Sequence, residues 1–120
     1  MNYIHEPDPL QCGQAVLAML CGITVDEVVE ELSNPRETTL AEMKSFLRGR
    51  GSYISDERIA VNTREELPDT ALLSLETPRC WHWSLYHHGT FYDPEHGVMD
   101  DFPEAKRKYY WEVRSAERVM

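Results

Sequence analysis

Apolar positions recur at helical spacing three times in the first half of the chain. Ala15, Val16, Met19 and Leu20 mark the first recurrence, within a stretch of Ala, Leu, Met and Gln, all favourable helix formers. Pro7 and Pro9 keep this helix from reaching far toward the N-terminus, so its first turn is expected close to Cys12 and Gly13. Gly22 supplies a left-handed stop just after Cys21. Thr24 and Glu27 have the spacing of a capping box, and Val25, Val28, Val29 and Leu32 continue as an apolar stripe, which predicts a second helix ended by Ser33-Asn34-Pro35. Thr39 and Glu42 repeat the box. Leu40, Met43, Phe46 and Leu47 then give a third helix its buried face, and Gly49 and Gly51 stop it.

After Gly51 the pattern changes to strand-like runs. Tyr53-Ile54 and Ile59-Ala60-Val61 are short candidates, and Thr70 to Leu75 is a mostly apolar run bounded by Pro68-Asp69 and Thr77-Pro78, as expected of a strand covered on both faces. Two aromatic-rich runs, from Trp81 and through Asp93, flank His88-Gly89, which reads as a hairpin turn. With a two-residue or four-residue loop, Tyr86 faces Phe91, Ser84 faces Asp93 and His82 lies opposite Glu95. His82 and Asp93 then share one face on a diagonal, whereas a three-residue loop would separate them. Pro94 to Gly97 is a turn, and Tyr109 to Arg114 alternates well enough for a closing strand, with a helix as the other option.

At 120 residues the chain, 1–120, is expected to form one domain. Its 12 basic and 21 acidic residues leave a formal charge of −9, which argues against nucleic acid or an anionic membrane surface as partner. No apolar run approaches the roughly 20 residues that span a bilayer. The N-terminus lacks the basic and apolar regions of a signal peptide, so a cytoplasmic location is expected. Cys12, Cys21 and Cys80 are an odd set without framework spacing, which predicts free thiols.

Those thiols are not equivalent. Cys12 falls at the start of an apolar helix, where unpaired N–H groups and the positive end of the helix dipole favour a thiolate. Gly13, lacking a side chain, would let a substrate carbonyl approach the same N–H groups. A small buried Cys beginning a core helix accounts for the stretch equally simply. With His82 and Asp93 the set becomes one that thiol acyl transfer uses: Cys12 attacks a carbonyl, His82 pairs with the thiolate and protonates the leaving group, and Asp93 orients the imidazole. His87 and His88 sit at the hairpin tip and His96 in a turn, where solvated side chains are the default. Cys80, His82, His87 and His96 lack a standard zinc-ligand spacing, so no metal is expected. Cys21 and Cys80 read as spectator thiols, and Trp81 and Trp83 as core or groove walls.

Gln11-Cys12-Gly13-Gln14-Ala15-Val16-Leu17-Ala18-Met19-Leu20 is similar to the Cys-Gly helix start of the bacteriocin-processing, double-glycine leader peptidases and their stand-alone relatives, within the papain-like superfamily. His82-Trp83, followed by Tyr92-Asp93-Pro94 and Gly97, resembles that family's second signature. The order of the helical middle, from Gly22 to Gly51, also follows it, and the resemblance runs from about Tyr3 to Gly97. It implies a papain-like α+β fold, with N-terminal helices packed on a mainly antiparallel sheet and a Cys12, His82, Asp93 triad. The implied activity is cleavage of a peptide or amide bond in a protein or peptide substrate through a thioester, without a cofactor. Deamidation or transglutamination would use the same triad.

One position departs from the pattern. The family carries a Gln six residues before the Cys as an oxyanion donor, and this chain has Glu6. An ionised carboxylate cannot donate, so either Glu6 is protonated, or Gln11 serves instead, or activity is weak. A papain-like binding or inhibitory module without turnover is the reading that Glu6 motivates. Oligomeric state is left open by the sequence.

Overall fold

Three helices precede seven strands in the computed structural model of the chain, which describes residues 1–115. The helices are α1 (Cys12–Cys21), α2 (Val25–Leu32) and α3 (Leu40–Arg48). The strands are β1 (Ser52–Ile54), β2 (Ile59–Ala60), β3 (Thr70–Glu76), β4 (Trp81–His87), β5 (Thr90–Asp93), β6 (Gly97–Met99) and β7 (Arg107–Ser115). All strand pairings are antiparallel, in the order β1-β7-β3-β4-β5-β6, with β2 also paired to β7. The architecture is α+β.

The helix boundaries follow local chemistry. Gln11 closes a 3-10 turn (Pro9–Gln11) and leads into α1 at Cys12, and Gly22 ends α1 with φ 68°. The segment entering α1 is therefore partly wound, with Asp8 Oδ1 accepting from the Leu10 N–H. Thr39 and Glu42 form the complete reciprocal box at α3. At α2 only half of the box forms: Thr24 accepts from the Glu27 N–H, and the Glu27 side chain does not return the bond.

Burial of α1 goes beyond one stripe. Every residue from Cys12 to Met19 is buried, because α1 lies on β4 with α2 and α3 packed against it. Val16, Leu17, Met43 and Leu47 meet Leu72, Leu85 and Trp111 on the helix side of the sheet. The other side holds Ala71, Leu73, Leu75, Tyr86 and Phe91 under Leu67, Phe102 and Ala105. β3 is thus covered on both faces, as its mostly apolar run predicts. The last strand does not close the sheet. β7 lies inside it, pairing with β3 on one side and with β1 and β2 on the other.

The loop joining α2 to α3 is tied to α1. Gln14, fully buried, donates through Nε2 to the carbonyls of Asn34 and Arg36 at 2.9 and 2.5 Å. At Gly13 a Cβ would meet Thr38 Oγ1 at 1.7 Å and Trp83 Cδ1 at 3.1 Å. The missing side chain here serves close packing of Thr38.

Gly13→Ala should therefore overpack this contact and cost about 1–3 kcal/mol of stability. In a Thr38→Ala background the same substitution should cost clearly less. Chemical denaturation of the four proteins gives the comparison, and equal costs in both backgrounds would show that Thr38 is not the obstacle.

Candidate active site

The β4–β5 hairpin sets the geometry. His88 and Gly89 both adopt positive φ, 49° and 83°, so the turn has two residues, pairing His87 with Thr90, Tyr86 with Phe91 and Leu85 with Tyr92. Continued by two steps, this register sets Trp83 opposite Pro94, at the next position where β4 would donate and β5 accept. The ladder stops before that. Instead the Trp83 N–H donates to Cys12 Sγ at 3.4 Å, and the Pro94 carbonyl accepts from the Glu6 N–H at 2.9 Å. The start of α1 and the segment before it have taken over the two strand-end groups.

The same register brings His82 and Asp93 together on their diagonal. His82 Nε2 lies 3.0 and 3.1 Å from the two Asp93 carboxylate oxygens. Asp93 is fully buried, and its carboxylate also accepts from Ser84 Oγ at 2.8 Å and from the N–H groups of Glu95 and His96, each at 3.0 Å. His96 Nδ1 adds a contact at 2.9 Å. Tyr3 donates from its hydroxyl to the Asp93 carbonyl at 2.5 Å. Burial by itself would raise the Asp93 pKa, but the hydrogen bond and charge of His82, with Ser84 and His96, hold it well below the usual carboxylate range. Burial likewise pushes His82 down, yet Asp93 and Cys12 outweigh it through hydrogen bonding and charge, and its pKa stands at about 10. With Nε2 committed to Asp93, Nδ1 is the nitrogen left for the thiol.

Glu6 completes the group. It is 7 % exposed, beside Cys12 at 8 % and His82 at 4 %, and one ligand atom from each of the three lies within 4.8 Å of the others. Glu6 Oε1 is buried and has no hydrogen-bond partner. Burial raises its pKa, the charge of His82 opposes this, and Glu95 and Asp93 reinforce it. Gln11, the other expected oxyanion donor, has its amide turned to the Pro35 carbonyl at 3.0 Å.

The remaining candidates fall elsewhere. His87 contacts Thr70 Oγ1 at 2.8 Å, and His88 pairs with Asp69 at 3.3 Å. Cys80 is exposed and its backbone closes a turn with Thr77, while Trp81 is exposed and stacks on Tyr109. Cys21 is half-buried at the far end of α1, where burial pushes its thiol pKa up. A cleft of about 1170 Å³ opens at that end, lined by Met1, Ile4, Cys21, Ile23 and Val113, and none of Cys12, His82 or Asp93 lines it. His96 is the site residue that sequence reasoning missed. The signal was available in Asp93-Pro94-Glu95-His96, since an Asp side chain commonly bonds backbone N–H groups two and three residues on.

Among the described residues, two sets offer metal-ligand atoms at close quarters: Glu6, Cys12 and His82, and His82, Asp93 and His96. In the second set the His96 Nδ1 and His82 Nε2 atoms already face Asp93. Comparison of the chain with protein-family models and with curated protein sequences finds no match.

A raised folded-state pKa means that His82 contributes its stability fully below its ordinary value of 6.5 and loses it as pH climbs toward about 10. Asp93, depressed, contributes above the usual range near 4 and loses its contribution in acid. The Tm of the wild type should fall between pH 6.5 and 10, by roughly 3–6 °C for each kcal/mol lost. His82→Gln should give a flatter curve over that window, and a curve parallel to the wild type would refute the linkage.

Proposed function

We propose that the chain is a papain-like cysteine hydrolase that cleaves a peptide or amide bond through a thioester on Cys12. One observation carries this reading: a thiol at the first residue of a buried helix, beside an imidazole whose far nitrogen is held by a buried carboxylate. The resemblance of the Gln11–Leu20 and His82–Gly97 stretches to the leader-peptidase family supports it.

In the proposed cycle the Cys12 sulfur attacks as thiolate, forming a C–S bond and a tetrahedral oxyanion. His82, protonated at Nδ1, gives that proton to the departing amine as the C–N bond breaks. The neutral ring then takes a proton from water, which attacks the thioester, breaks the C–S bond and releases the acid, restoring the Cys12 thiolate beside protonated His82. Asp93 holds Nε2–H throughout and fixes the tautomer. A thioester formed on a glutamine side chain, with ammonia leaving, can pass to an amine or to water, so transglutamination and side-chain deamidation remain outcomes of the same chemistry. Glu6 in its neutral form supplies an O–H toward the oxyanion, in the place where the family has a Gln amide. Free thiols at Cys21 and Cys80 fit a reducing, cytoplasmic setting.

A second reading, a binding module without turnover, draws on the same Glu6, since an ionised carboxylate there would repel the oxyanion. Substitutions separate the two. Cys12→Ala should abolish cleavage of a fluorogenic peptide set, and Glu6→Ala should lower it by about 10²–10³-fold, while Glu6→Gln retains it. Iodoacetamide near neutral pH should label buried Cys12 faster than exposed Cys80, as read by intact-protein mass spectrometry. Absence of turnover together with slow, equal labelling would favour the binding module.

A further inference from the structure

Glu6, Cys12 and His82 come from three separate parts of the chain and converge as a carboxylate, a thiol and an imidazole. We propose that these three side chains form a zinc site and that occupation of it silences the Cys12 nucleophile. The switch rests on the hydrolase reading, whereas the metal site does not.

The donor set matches the ion. Zn²⁺ takes Cys sulfur, His nitrogen and carboxylate oxygen in tetrahedral geometry, and three protein ligands leave a fourth position for water. Its usual bond lengths, about 2.0–2.3 Å, separate neighbouring donors by roughly 3.3–3.6 Å. Here the three ligand atoms lie within 4.8 Å of one another, so small side-chain rotations close the cage.

Two further features point to a ligand. Glu6 Oε1 is buried without a partner, a costly state for a carboxyl oxygen that a metal ion relieves. The hydrogen bonds that orient the ligands in established zinc sites are also in place. Asp93 grips His82 Nε2, which directs Nδ1 inward as in carboxylate–histidine–zinc arrangements, and the Trp83 N–H holds the sulfur. Among the described residues the alternative set of His82, Asp93 and His96 lacks such an open valence, because Asp93 already engages both rings.

Loading exchanges protons for metal. Zn²⁺ binds the thiolate, the neutral imidazole and the carboxylate, and releases to solvent whatever protons these groups carried, with no change in oxidation state. Coordinated sulfur is then unavailable for attack on a carbonyl. Thus one carboxyl has two uses: protonated it serves an oxyanion, and deprotonated it holds the ion.

The test uses Co²⁺ as a spectroscopic stand-in, followed by Zn²⁺, on the full chain carrying Cys21→Ser and Cys80→Ser so that Cys12 is the sole thiol. One equivalent of Co²⁺ should give thiolate-to-cobalt charge-transfer absorption that Zn²⁺ bleaches, and Zn²⁺ should slow alkylation of Cys12 at least tenfold. Cys12→Ser should abolish the band, and Glu6→Gln should weaken the metal affinity by tenfold or more, with circular dichroism confirming that each variant is folded. Saturating Co²⁺ without a thiolate band, or a band indifferent to Glu6→Gln, overturns the site. Peptide cleavage that proceeds unchanged while the band shows full loading overturns the switch. A band without any peptide cleavage in the metal-free protein upholds the site and counts against the hydrolase instead.

Discussion

A single unfinished rung between β4 and β5 governs the candidate site. Backbone groups withdrawn from water need partners, and the Trp83 N–H and Pro94 carbonyl would ordinarily satisfy each other. They do not, and the two groups that replace them come from the N-terminal segment: the Cys12 sulfur and the Glu6 amide. This exchange ties the beginning of the chain to the hairpin some seventy positions later. It also puts a thiol where a strand's hydrogen-bond donor can hold it.

The hairpin side of the junction is held by a dense set of hydrogen bonds on one buried carboxylate. Asp93 accepts from two histidines, a serine and two backbone amides, so its charge is dispersed over a complete set of donors even though the residue is fully buried. That concentration of donors keeps it ionised, and an ionised Asp93 in turn keeps His82 protonated. The N-terminal side is the opposite case. Glu6 is buried with one oxygen unmatched, in a neighbourhood that already contains the Asp93 charge. A buried polar atom without a partner is unfavourable for stability.

Much of this was legible in the sequence because it is local. Capping residues and prolines act within a few positions, so the starts of α1 and α3 and the Gly22 stop could be read directly, as could a hairpin turn at His88-Gly89, whose length of two residues the structure supplies. Once that turn is known, a strand's period of two carries Ser84 opposite Asp93 and sets His82 diagonally across from it. The capping box at Thr24 shows the limit even of local reasoning, since spacing permits the Glu27 bond but a solvated side chain need not make it.

What the tertiary structure alone decided is everything that depends on which distant surfaces meet. Gly13 is small because Thr38 packs on it, Gln11 turns to Pro35, and β7 enters the interior of the sheet instead of closing it. The depth at which Glu6 is buried, and its approach to Cys12 and His82, belong to the same class. Periodicity names the face that a residue presents but not the partner that covers it. Partner choice is made by close packing and by the pairing of buried polar groups across long stretches of chain, and neither leaves a short-range mark in the sequence.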